Sequence, residues 1–137
     1  MFDFSRLKSV ADISRVHAKE QPGHVALDFN DRITTYGALD ERASKVAQGL
    51  IGLGQTPMSR IGYLGKNCDR YFEVLLGAFK ARAVIVGVNW RLAPPEIAYV
   101  LNDAGCEAIF VGQEYYAIVE KILPDCPKLR QDRKSVV

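Results

Sequence analysis

A chain of 137 residues with 48% hydrophobic and 25% charged side chains can build one folded domain with a real core, which excludes disordered and collagen-like classes. With 18 basic against 16 acidic residues, the formal net charge of +2 makes no electrostatic case for nucleic acid or an anionic membrane as partner. No apolar run reaches the ~18 residues of a membrane span, and the N-terminus has no signal-peptide pattern, so a cytoplasmic, soluble protein is expected.

Residues 7–19 carry a weak helical pattern through Val10, Ile13, Val16 and His17, stopped by Gln21-Pro22-Gly23. Val25 to Phe29 and Arg32 to Thr35 flank Asn30-Asp31, two residues that tolerate the positive φ of a tight hairpin turn. From Tyr36 the period becomes helical, with Leu39, Ala43, Val46, Ala47 and Leu50 on one side and Asp40, Glu41, Arg42, Lys45 and Gln48 on the others. Thr35 is the expected N-cap, and Gly52-Leu53-Gly54 the expected end.

Three strand–helix repeats follow. Arg60 to Leu64 reads as a short strand, and Arg70 to Arg82 as a helix apolar on nearly every side. Ala83 to Val88 is an unbroken apolar run, suited to a parallel strand covered on both faces. Pro94-Pro95 opens a helix striped by Ile97, Val100, Leu101 and Ala104, and Gly105 closes it. Ala108 to Val111 is the next strand, and Tyr115, Ile118, Val119 and Ile122 mark a last amphipathic helix. This alternation predicts an α/β fold with a mainly parallel sheet, preceded by a short β-hairpin.

Chemistry-bearing patterns are sparse. Gly62 to Asn67 lies between a strand and a helix, where phosphate loops occur. Arg60 stands where the Walker pattern needs glycine, and Asn67 where it needs Ser or Thr, so Asn67 reads better as a helix cap and Gly65 as a turn residue. Asn89, Trp90 and Arg91 follow the buried strand at its carboxyl end, where open α/β sheets place ligand-binding side chains. They are candidate pocket-lining residues; the alternative is that Trp90 covers the adjacent helix. His17 and His24 have no identifiable catalytic partners and read as surface or capping residues. Cys68, Cys106 and Cys126 are odd in number, far apart and far from both histidines, which predicts thiols in a reducing compartment and no metal site. No acid–base pair or nucleophile elbow is present, so no catalytic residue is assigned.

Two segments resemble the adenylate-forming enzymes. Thr34-Thr35-Tyr36-Gly37-Ala38-Leu39, followed by Ala43 and Ala47, resembles the opening of their large domain. Gly77 to Ala83, running into Val86-Gly87-Val88-Asn89-Trp90-Arg91-Leu92 and on to Pro95-Glu96-Ile97 and Leu101 to Ala104, resembles their leucine-lysine-alanine-glycine block. The Asn-Trp-Arg-Leu form is closest in kind to the AMP-forming acyl-CoA synthetases, the fatty and aryl carboxylic acid:CoA ligases. Arg82 stands where that family usually has glycine, and Gly87 where proline is common.

The resemblance implies that residues 1–130 are a partial, incomplete N-terminal AMP-binding domain, with 131–137 a non-matching tail. It implies a role in fatty acid metabolism: a carboxylate and ATP give acyl-AMP and pyrophosphate, and coenzyme A then gives acyl-CoA and AMP. ATP, Mg²⁺ and coenzyme A are implied as ligands of a full-length member. The family's Ser/Thr/Gly-rich loop ending in Lys, its acidic metal motif and its C-terminal lysine have no counterpart here, so the expectation is an inactive fragment that self-associates. The alternative is a complete small α/β binding or interaction module.

Overall fold

Asn30 and Asp31 adopt φ of 49° and 63°, the left-handed pair that a two-residue hairpin turn requires. They join strands β1 (Val25–Phe29) and β2 (Arg32–Thr35) into an antiparallel ladder, as the sequence predicts. The structure, a computed structural model, describes residues 4–129. The 131–137 tail anticipated from sequence lies outside them. Contacts divide the described residues into two units, one holding residues 4–54 and Cys68–Ala81, the other Gln55–Asn67 and residues 82–129.

The first unit comprises the hairpin and helices α1 (Asp12–Glu20), α2 (Tyr36–Gly52) and α3 (Asp69–Lys80). Helix α1 starts at Asp12, not residue 7, because the Asp12 carboxylate takes the backbone N–H groups of Lys8 and Ser9, each at 2.9 Å, into a turn. Burial works against its charge, but those two bonds and Arg15 hold its carboxyl below the usual range. Thr35 caps α2 through Oγ1, which accepts from the Ala38 N–H. The left-handed residue after that helix is Gly54, with φ of 79°.

Leu39, Ala43, Ala47 and Leu50 of α2 and Val74 and Ala78 of α3 are buried. Buried carboxylates join these elements as well. Arg32 makes a two-pronged contact with Asp69 (3.1 and 2.6 Å), which is only 4% exposed, and Arg42 reaches Glu73 at 3.0 Å. Asn67 does not cap α3. The N-cap is Cys68, whose extended backbone feeds the helix without a side-chain cap bond.

The second unit is built on a three-stranded parallel sheet in the order β4 (Val84–Val88), β3 (Arg60–Leu64), β5 (Ala108–Val111). Helices α4 (Pro94–Ala104) and α5 (Tyr116–Ile122) complete it. Pro94 and Pro95 begin α4 with a fixed φ, the Glu96 carboxylate accepts from the Ala93 N–H at 2.8 Å, and left-handed Gly105 ends it. The core gathers Leu64, Val88, Ile97, Leu101, Cys106, Tyr115, Val119, Ile122 and Cys126. Burial raises the Cys106 and Cys126 thiols above their ordinary pKa, which keeps them protonated and unreactive. One expectation is corrected. β4 is parallel but, among the described residues, lies at a sheet edge, and Val84, Ile85 and Val86 are only half-buried, so the strand is not fully covered on both faces.

Arg82 explains its own departure from the family pattern. Its φ is 59°, a conformation that glycine adopts without steric cost and a residue with a Cβ does not. Its carbonyl accepts from the Met58 N–H at 2.9 Å, so the turn is held despite that cost. Arg82→Gly is therefore expected to raise stability by about 0.5–1 kcal/mol, seen as a higher urea midpoint, after the extra unfolded-state freedom of glycine is offset. A lowered midpoint would show that the arginine side chain contributes more than its backbone costs.

Candidate functional site at the carboxyl ends of the strands

Parallel register brings three strand exits level. Leu64 lies opposite Val88 on one side and Val111 on the other, so the residues that follow all leave the sheet at one end. From β3 comes Lys66, from β4 Asn89, Trp90 and Arg91, and from β5, after Gly112, comes Tyr115.

Each exit is shaped locally. The Tyr63 hydroxyl donates to the Lys66 carbonyl at 3.2 Å, and its ring lies over Gly65, where a Cβ would meet ring carbons at 3.3 Å. Asn89 spends its side chain on the turn: Oδ1 accepts from the Arg91 N–H at 3.0 Å, and its carbonyl accepts from Leu92 at 3.2 Å. Of the three residues singled out from sequence, Asn89 is thus a turn former.

Trp90 and Arg91 carry the surface. The Arg91 guanidinium carbon stands 4.6 Å and the Lys66 ammonium 5.3 Å from the centre of the Trp90 ring, both within cation–π range. Tyr115 sits 6.2 Å from the same ring, at 38° to it. Trp90 is half-buried and packs against the core, which bears out the covering role that the sequence offers for it. Two exposed cations beside one aromatic ring suit a flat or phosphorylated anion.

Sequence reasoning treated Lys66 as part of a failed phosphate loop and Tyr115 as a stripe residue. No local signal joins the two: Lys66 is two residues past the end of β3 and Tyr115 four past the end of β5, and only the parallel register brings them to one end of the sheet. The histidines stay structural. His17 stacks on Tyr36 at 4.8 Å, and the His24 backbone bonds to Gln21 and Tyr36. Asp40 and Glu41 are bound to Lys80 and Lys45.

Residues 14–137 match the family described as AMP-binding enzyme. The chain belongs to that family. It is 34% identical to the fatty acid–acyl-carrier-protein ligase ScoC of Streptomyces coeruleorubidus over 122 residues, 89% of this chain and 23% of that protein. Among solved structures it resembles the anthranilate CoA ligase AuaEII in complex with anthranoyl-AMP (TM-score 0.85, 28% identity, 93% of this chain and 25% of that one). It also resembles the inhibitor-bound N-terminal domain of FACL13 from Mycobacterium tuberculosis (TM-score 0.81, 28% identity, 85% of this chain and 30% of that one). The chain thus spans about a quarter of the length of the curated relatives it matches, 23% for ScoC.

These relatives fix the fold expected from the sequence: a parallel α/β sheet with an antiparallel hairpin, as in the N-terminal domains of adenylate-forming enzymes. Of the groups the family implies, ATP and coenzyme A carry phosphates and an aromatic base, which Lys66, Arg91 and the indole suit. Among the described residues, no group of three or more His, Cys, Asp or Glu side chains is placed to hold Mg²⁺. No helix among them is long and apolar enough to cross a membrane.

Proposed function

We propose that these residues form the N-terminal portion of an ATP-dependent carboxylic acid ligase that makes acyl-AMP and passes the acyl group to a thiol of coenzyme A or an acyl carrier protein. The observation that carries this reading is the family match over residues 14–137, supported by ScoC and AuaEII. Within it, Lys66, Trp90 and Arg91 bind the anionic, phosphate-bearing part of a nucleotide ligand. The thiol state of Cys68, Cys106 and Cys126 is consistent with a cytoplasmic setting.

The 137 residues alone carry out no adenylation, since nothing in them forms a Ser/Thr/Gly-Lys phosphate loop. ATP–pyrophosphate exchange by this chain, with a panel of carboxylic acids, is expected to stay at background; exchange above it would overturn the inactivity.

Trp90 is the chain's single tryptophan, so emission excited selectively at tryptophan, beyond the absorption of the six tyrosines, reports this site alone. Titration with ATP and with coenzyme A is expected to change its emission for at least one of them. Lys66→Ala or Arg91→Ala should weaken that binding about tenfold or more, each removing a charge-assisted contact of roughly 1.5–3 kcal/mol. No response to either ligand would remove this site from the proposal.

A further inference from the structure

We infer that Tyr115 is a positioning residue that sets the orientation of Trp90, an inference that rests on the reading of Lys66, Trp90 and Arg91 as an anion site. The four side chains differ sharply in what can hold them. Lys66 and Arg91 are exposed and end long flexible stems, so neither can fix an indole. Hydrogen bonds in the Asn89–Leu92 turn restrain the Trp90 backbone but leave its side-chain torsions open.

Tyr115 is the rigid member. It is 7% exposed, its N–H donates to the Gly112 carbonyl at 2.9 Å, and its ring belongs to the core with Val119 and Ile122. Its ring also lies over the β5 exit, where a Cβ on Gly112 would come within 3.3 Å of Cδ2. A ring so anchored, 6.2 Å from Trp90 and tilted 38° to it, forms the wall against which the indole rests. Because both cations gather on that indole, its orientation also sets where their charges converge.

The test separates orientation from ligand binding. Tyr115→Leu is expected to flatten the indole band in near-UV circular dichroism and lower Trp90 anisotropy without ligand, while the far-UV spectrum stays that of the parent. Inorganic pyrophosphate, followed by Trp90 emission, should then bind at least about fivefold more weakly. Tyr115→Phe should behave as the parent, since the ring and not the hydroxyl does the positioning. Unchanged indole signals in Tyr115→Leu, or a Tyr115→Phe variant that reproduces the loss, would overturn the inference. If the leucine variant loses its helical signal, Tyr115→Met, which keeps more bulk in the core, answers the same comparison. A parent that ignores pyrophosphate while Tyr115→Leu still frees the indole would defeat the anion reading and leave the positioning role standing.

Discussion

Gly77→Ala is expected to lower the stability of the chain by about 2 kcal/mol, seen as a fall in urea midpoint with little change in slope. On an exposed helix the same change would be favourable by roughly 0.5–1 kcal/mol. The sign reverses because α3 packs directly against α2 at Gly77. A Cβ there would lie 2.5 Å from both Cβ and Cγ1 of Val46 and 2.8 Å from the Ala43 carbonyl oxygen. A flexible side-chain tip could move aside; the Ala43 backbone and a β-carbon cannot, unless α2 itself shifts. Val46→Ala removes only Cγ1 and its partner methyl, so the double variant should recover part of the loss, about 1 kcal/mol. Gly52→Ala is the control. It lies at the end of α2 with nothing within 4 Å of the added carbon, and should leave stability unchanged or slightly raised. A Gly77→Ala variant as stable as the parent would mean that the two helices do not meet at this glycine.

What the sequence made legible follows from which forces are local. The hairpin, α2, β3 and β5 are delimited by short-range signals: the left-handed Asn30-Asp31 pair, the Thr35 cap, alternation and its change of period. Helix α3 was harder. Its apolar residues surround it, so periodicity could not show that Gly77 marks the contact face or that Asp69 and Glu73 are buried charges. Those two are paired by Arg32 and Arg42, more than 30 residues away in sequence, with Arg70 also 3.9 Å from Glu73. Arg82 stood out as a departure from glycine, but its cost becomes visible only with its φ of 59°. The site shows the same division. Trp90 and Arg91 were legible from their place after a strand. Lys66 and Tyr115 were not, because the parallel register that sets Leu64 level with Val88 and Val111 is a tertiary fact.

Lys80→Met carries the second large effect, an expected loss of about 2 kcal/mol by urea denaturation, below the 3–5 kcal/mol of a fully buried pair. Lys80 belongs to the block through which the chain resembles its family, yet its side chain is engaged within the first unit. The ammonium stands 2.7 Å from Asp40 Oδ1 and 3.0 Å from Ser44 Oγ, and the Ser14 hydroxyl donates to the same Asp40 oxygen at 2.7 Å. Lys80 on α3, Asp40 and Ser44 on α2 and Ser14 on α1 thus join three helices in one polar cluster. The Lys80 and Asp40 side chains are 15% and 21% exposed, so water softens the penalty without removing it. Methionine keeps the stem's apolar packing while stripping the charge, which leaves the Asp40 carboxylate with hydroxyl and water as its partners. Asp40→Asn should cost a similar amount, because it leaves the lysine without its counter-ion. The double variant should then lose less than the sum by at least about 1 kcal/mol, the coupling expected of groups in direct contact. Ser14→Ala should cost about 1 kcal/mol alone, and less once Asp40 is neutral, since a hydrogen bond to a charged acceptor is the stronger kind. Strict additivity of Lys80→Met and Asp40→Asn would instead mean that each side chain acts on its own helix and that the ion pair holds nothing together.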